Sequence, residues 1–214
     1  MSGSARRRMV LVGGTGTIGS AVHALARDAY DVVVVARRGG DVQADTRSPE
    51  SVAALFAQVG PFDDLVCTAG PAVLGALGAL TEQDFADSFR NKVLAQVNLV
   101  RLGLGRVRPG GSFTLSSGYL DKSPIPGVAA VAMANGALDA FCRAAALEMP
   151  AGVRLNCVSP VFVEESLAGV TGVDVPAEAR QSAADTARAY LAAVEGTFTG
   201  ESLDPRAVTW GAGR

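Results

Sequence analysis

Apolar residues recur along this chain in two alternating patterns. Short unbroken runs rich in valine and leucine end in glycine or polar turns, and longer stretches carry apolar residues every three or four positions. The first pattern predicts strands buried on both faces, the second amphipathic helices. The run MVLVGG (9–14) reads as a first strand entering a turn, and 18–29 as the first helix. The β-branched run DVVVVARR (31–38) is a second strand. Ser48 and Pro49 open a helix through Val59, with serine as N-cap and proline at the first helical position. DDLVCTAG (63–70) is a third strand. Thr81, with Asp84 three residues on as a capping-box variant, starts a long helix reaching about Leu104. GGSFTLSSG (110–118) is a fourth strand, 128–149 a long helix stopped at Pro150, and VRLNCVSP (153–160) a fifth strand. A last helix over 177–195 and an edge strand, FTGESLDP (198–205), complete the pattern.

Such alternation predicts an α/β protein: a single doubly wound, mostly parallel sheet of the Rossmann type with helices on both faces. Without a composition break, a long linker or a repeat, residues 9–214 read as one domain. Arg6, Arg7 and Arg8 read as part of a flexible, solvated basic tail over 1–8.

Composition narrows the function classes. The chain has 214 residues, 49% of them apolar, enough for one good core and too many for disorder. A net charge of −2 offers nucleic acid no basic field. No apolar run approaches the ~20 residues that span a bilayer. Cys67, Cys142 and Cys157 lie scattered in apolar segments and read as buried free thiols in a reducing cytoplasm. The single His23 has no partner motif, so no metal site is expected.

The first candidate chemistry lies between the first strand and helix. In VGGTGTIGS, Gly13, Gly16 and Gly19 recur at three-residue spacing. Glycines there allow a tight turn and let backbone amides and a helix N-terminus approach a pyrophosphate. An NAD site places an acid after the second strand, for the ribose 2′-hydroxyl. This chain has Arg37 and Arg38 there, a fork suited to a 2′-phosphate, which points to NADP(H).

These residues resemble the short-chain dehydrogenase/reductase superfamily over nearly the whole chain, 9–204. The resemblance implies that Gly13, Thr15, Gly16, Thr17, Ile18 and Gly19 wrap the cofactor, Thr17 standing where ordinary members have the middle glycine. Asp45 in DVQADTRSPESV matches the place that contacts adenine. CTAG, with Ala69 and Gly70, stands where ordinary members have Asn-Asn-Ala-Gly. Asn91 falls at the structural and catalytic asparagine and Ser117 at the catalytic serine, which orients the reacting group. In NCVSPVFV, Pro160 lies against the nicotinamide, Val161 replaces a glycine, and Val163 meets the carboxamide. The chain is short for the superfamily, which implies a reduced substrate lid and an open pocket.

The main departure lies in GVAAVAMANGALDAF. Ordinary members have a Tyr-x-x-x-Lys pair there, the tyrosine moving the proton and the lysine holding the nicotinamide ribose. Val131 and Asn135 stand in their places, as in a small bacterial subgroup with the same loss. Asn135 can hydrogen-bond a ribose hydroxyl but carries no charge. Three substitutes for the lost acid stay open: Tyr119, on the loop after Ser117; Lys92 or Lys122, the only two lysines of the chain; or a cationic imine substrate that needs no acid. An ammonium releases a proton near neutrality when desolvated, whereas arginine does not. The expected function is NADP(H)-dependent reduction of a carbonyl or imine on a small organic substrate. The rivals are a non-catalytic NADP(H) sensor and a non-redox cyclase or isomerase. Ordinary members dimerise through the two long helices. Here these carry Val93, Val97 and Val100, and Ala137, Phe141 and Ala145, so a homodimer or homotetramer is expected.

Overall fold

The computed structural model describes residues 6–150, 152–170 and 173–208. Chain order runs β1 (Arg8–Val12), α1 (Thr17–Ala26), β2 (Asp31–Ala36), β3 (Val42–Gln43), α2 (Pro49–Val59), β4 (Phe62–Cys67), α3 (Glu82–Ser88), α4 (Ala95–Gly103), β5 (Val107–Ser116), α5 (Ala129–Ala145), β6 (Arg154–Val158), β7 (Phe162–Val163), β8 (Arg180–Gln181), α6 (Ala183–Glu195) and β9 (Ser202–Leu203). Seven strands form one sheet in the order β3-β2-β1-β4-β5-β6-β9, and every pairing in it is parallel. The short pair β7–β8 stands apart. Strand order reverses between β1 and β4, the topological switch point where such sheets open a crevice at their carboxyl ends.

The sheet is buried on both faces, which is why its strands read as continuous apolar runs. In β1, alternation sends Val10 and Val12 to one face, with Leu55, Phe56, Leu99 and Leu138 of α2, α4 and α5. Met9 and Leu11 go to the other, with Val22 of α1 and Tyr190 and Leu191 of α6. Phe62 and Phe113 meet edge to face at 5.8 Å between ring centres. Full burial of such a side chain contributes about 2 kcal/mol.

Several expectations are corrected by the packing. The helix expected over 81–104 begins as read, with the Thr81–Asp84 capping box formed. It is then interrupted by a π-helical turn at Phe89–Leu94, which inserts an extra residue before α4. The helix expected from 177 starts only at Ala183, where Ser182 caps it, because Arg180–Gln181 is taken up in strand pairing with Phe162–Val163. The sixth strand shrinks to Ser202–Leu203, and Val42–Gln43 adds an unforeseen seventh at the opposite edge. Arg7 and Arg8 are no solvated tail. Arg7 grips the fully buried Asp64 with two bonds of 3.0 and 2.9 Å, and Arg8 opens β1 and pairs with Asp31. An unpaired buried carboxylate would be costly, so Asp64 recruits the nearest guanidinium.

Candidate active site

A groove runs across the carboxyl ends of the central strands. Its outer part is an open, basic cavity of about 720 Å³ lined by Thr15, Arg37, Arg38, Asp45 and Arg47. It merges with a cavity of about 340 Å³ that Gly13, Gly16, Asp45, Ala69, Gly70 and Asn91 line, sharing Thr15, Arg37 and Arg47. Thr68, Ala69 and Gly70 also line an adjoining inner pocket of about 210 Å³.

Local chemistry fits the groove to a long, multiply anionic ligand. Gly13 turns with φ of 83° while its amide donates to the Val35 carbonyl at 2.7 Å. No side chain caps α1, and its first turn holds no acid, so its N-terminal amides and positive dipole end face the groove free. Arg37 and Arg38 are exposed and make no ion pair among the described residues. Arg47, which the sequence reading missed, forms a two-point pair with Asp45 at 2.6 and 2.8 Å. The Arg47 guanidinium holds the Asp45 carboxyl down at about 2. A local D-x-R spacing was the only available sign of it.

The inner pocket gathers Ile18, Lys92, Ser117, Val131, Asn135 and Pro160. The π-helical turn at Phe89–Leu94 places Asn91 on the middle cavity and Lys92 on the inner one. Lys92 makes no hydrogen bond or ion pair through its amine among the described residues. Burial pulls its ammonium from 10.5 down to about 8, against weaker opposing pulls from Cys157, Asp139, Cys67 and Asp121. Beside it, Asn135 is 1% exposed and its Oδ1 has no hydrogen-bond partner. An added methyl at Gly118 would lie 2.6 Å from Asn135 Nδ2, so glycine is needed where the strand end crosses this side chain. Ser117 Oγ lies 2.7 Å from Ser159 Oγ, and Ser116 Oγ lies 2.5 Å from the buried phenol of Tyr190.

Other assigned residues lie outside the pocket. Tyr119 does not line it. Its ring stacks under the Arg206 guanidinium at 4.1 Å, a cation–π pairing that turns it away. Lys122 is likewise off the wall, because its ammonium is held 2.6 Å from the buried Asp139. Val163 is buried in the β7–β8 pair, and Val161 and Phe162 line the pocket at that corner. Thr17 starts α1 and accepts a hydrogen bond from Ser166 at 3.1 Å, while Gly19 lies behind the turn, against Gly13. The three cysteines are free and buried, and burial pushes the Cys67 thiol up to about 12.

Fold and groove together define a dinucleotide-type α/β protein. A family model described as enoyl-(acyl carrier protein) reductase matches residues 9–194, and the chain belongs to the short-chain dehydrogenase/reductase family. The protein lin1944 from Listeria innocua is 38% identical, with a TM-score of 0.86 over 92% of this chain and 98% of that one. A small-chain dehydrogenase solved in complex with NADPH is 27% identical, with a TM-score of 0.81 over 94% and 97% of the two chains. The short-chain dehydrogenase/reductase ATR9 of Stachybotrys chlorohalonatus is 38% identical over 108 residues, 47% of this chain and only 40% of that relative's length.

Proposed function

We propose that this chain is an NADP(H)-dependent reductase of a carbonyl or imine group on a small organic molecule, working in the cytoplasm without the family's tyrosine acid. The observation that carries the reading is the run of three adjoining cavities, with shared wall residues, from Arg37 and Arg38 to the unpaired amine of Lys92. The arginines take the 2′-phosphate, the free amides of α1 the pyrophosphate, and Asn135 Oδ1 a ribose hydroxyl. NADPH, when bound, supplies the hydride. Lys92 restores on the neighbouring helix the positive charge that Asn135 lacks. A cation there opposes the negative charge that develops on the reacting oxygen, and in a dry pocket such a charge acts far more strongly than in water.

NADPH is expected to bind at least about tenfold tighter than NADH, or about 1.4 kcal/mol. The double variant Arg37→Ala, Arg38→Ala removes most of that difference, as calorimetry would read. NADPH absorbance with a panel of small ketones, aldehydes and imines tests the chemistry. Equal affinities for the two nucleotides remove the cofactor assignment. Tight NADPH binding with no turnover across the panel favours the sensor or the non-redox enzyme.

The reading includes a two-fold homo-oligomer. Val93 and Val100 are spent in the core, but Phe89, Leu94 and Met133 of the same helical region are 38%, 44% and 40% exposed. Covering them by a second copy removes apolar surface from water. Light scattering at micromolar concentration should give a dimer or tetramer mass; a monomer mass refutes it.

A further inference from the structure

Behind the inner pocket lies a chain of hydroxyls that ends at an ammonium near the surface. Ser117, at the end of β5, is 2% exposed and lines the pocket. Its Oγ is 2.7 Å from Ser159 Oγ, at the end of β6 and fully buried. Lys122 Nζ donates to Ser159 Oγ at 2.9 Å. The same ammonium donates to Asp139 Oδ2 at 2.6 Å and to Ser202 Oγ at 3.1 Å. Its three protons therefore have three acceptors. Ser202 in turn donates to Asp139 Oδ1 at 2.9 Å. Asp121 Oδ1 completes the surroundings at 3.7 Å from Nζ. The Lys122 side chain is 36% exposed, so its ammonium exchanges with solvent.

Strand pairing holds this chain in place. Ser117 N donates to the Val158 carbonyl at 2.9 Å, and Ser159 N to the Leu203 carbonyl at 2.7 Å. Neighbouring strands thereby set the hydroxyls side by side. With Ser202 donating to Asp139, the Ser159 proton has two acceptors, Ser202 Oγ at 2.6 Å and Ser117 Oγ at 2.7 Å, and the relay uses the second. Ser117 then has its own proton for the pocket, held meanwhile only by a long 3.3 Å contact to the Val158 carbonyl.

We propose that Lys122, Ser159 and Ser117 form a proton relay that replaces the missing tyrosine. The proposal rests on the reductase reading. As the C=O π pair moves onto the reacting oxygen, that oxygen takes the Ser117 hydroxyl proton. Ser117 Oγ takes the proton of Ser159, and Ser159 Oγ takes one from the Lys122 ammonium. The resulting neutral amine recovers its proton from water at its exposed side. Each bond to hydrogen that breaks is matched by one that forms, and the net demand is one solvent proton per hydride. Ser117 is the catalytic residue here; Ser159 and Lys122 act through it.

Two readouts test the relay. Because the chain has only two lysines, ¹⁵N-lysine NMR resolves the Lys122 amine in the cofactor-free protein. Ser117→Ala should shift that signal through Ser159, although it leaves every direct partner of Lys122 in place. An unmoved signal overturns the relay. The second readout is the rate with NADPH and the fastest member of the carbonyl panel in mixed H₂O/D₂O. The parent should give a curved proton inventory, several protons moving together. Ser159→Ala, which keeps the Lys122–Asp139 pair and hence the fold, should lower the rate about 10²-fold. Ser159→Thr, which keeps the hydroxyl, should restore most of that loss. A linear inventory in the parent, or parent-like rates in Ser159→Ala, overturns the relay and leaves the reductase reading standing. A parent that reduces nothing on the panel overturns both.

Discussion

Lys92→Met is expected to lower NADPH-dependent reduction by about 10²-fold or more while making the protein more stable. The two effects share one cause. Lys92 stands on the pocket wall with no carboxylate against its amine, so its charge is costly to bury and its ammonium falls to about 8 from 10.5. The folded protein binds this proton less tightly than the unfolded chain. Stability from this group is therefore lowest below about pH 8, where both states are protonated, and rises as pH climbs from about 8 toward 10.5. Methionine removes the buried charge, and at pH 7 the gain should be on the order of 2 kcal/mol after discounting for partial exposure. The variant should also lose the parent's rise in stability with alkaline pH. Activity moves the other way: it should decline as pH passes about 8, where the ammonium is lost. Thermal unfolding across pH, initial rates across pH and the ¹⁵N titration of Lys92 give three checks. A Lys92 amine that titrates at its ordinary value, or a methionine variant with parent activity, removes Lys92 from the mechanism.

Gly19→Ala should reduce NADPH affinity at least about 10²-fold, or about 2.7 kcal/mol. A methyl at residue 19 would lie 2.1 Å from the Gly13 carbonyl oxygen and 2.7 Å from Gly14 Cα. Those are backbone atoms of the turn itself, and the Gly13 carbonyl also accepts from Gly16 N at 3.0 Å and Thr68 Oγ1 at 3.2 Å. The turn must move away from α1, and the free amides move with it. Overpacking of this kind also destabilises by about 1–3 kcal/mol. Gly78→Ala, where an added methyl meets nothing, is the matched control for stability. Isothermal titration with NADPH checks the pair; Gly19→Ala with parent affinity would show that the turn does not cradle the ligand.

The parallel sheet and the outer groove could be read in advance because both depend on local rules. Buried strands of a parallel sheet must be apolar throughout, a tight strand-to-helix turn must be glycine-rich, and a capped helix must begin with Ser-Pro or a capping box. Each appears as a short contiguous motif: MVLVGG, VGGTGTIGS, Ser48-Pro49, Thr81 with Asp84. The arginine fork after β2 is of the same kind, since a strand end and the loop beyond it are adjacent in sequence. Arg47 escaped notice because its place beside Arg37 depends on how the 43–47 stretch folds back across the groove.

What the sequence by itself determined was the fold class, the glycine turn and the arginine pair. In place of the family's acid it left Tyr119, Lys92, Lys122 or an imine substrate that needs no acid. Only the tertiary structure separated the three side chains. Tyr119 is drawn under Arg206 from the far end of the chain, and Lys122 is tied to Asp139 on α5. Lys92 is turned onto the pocket by a π-helical turn that apolar periodicity does not reveal. The physical reason is that a side chain's charge and reach are set by its residue type, whereas its partners, its burial and therefore its protonation are set by residues distant in sequence. Ser117, Ser159 and Ser202 lie 42 and 43 residues apart and meet only because β5, β6 and β9 are neighbours in the sheet.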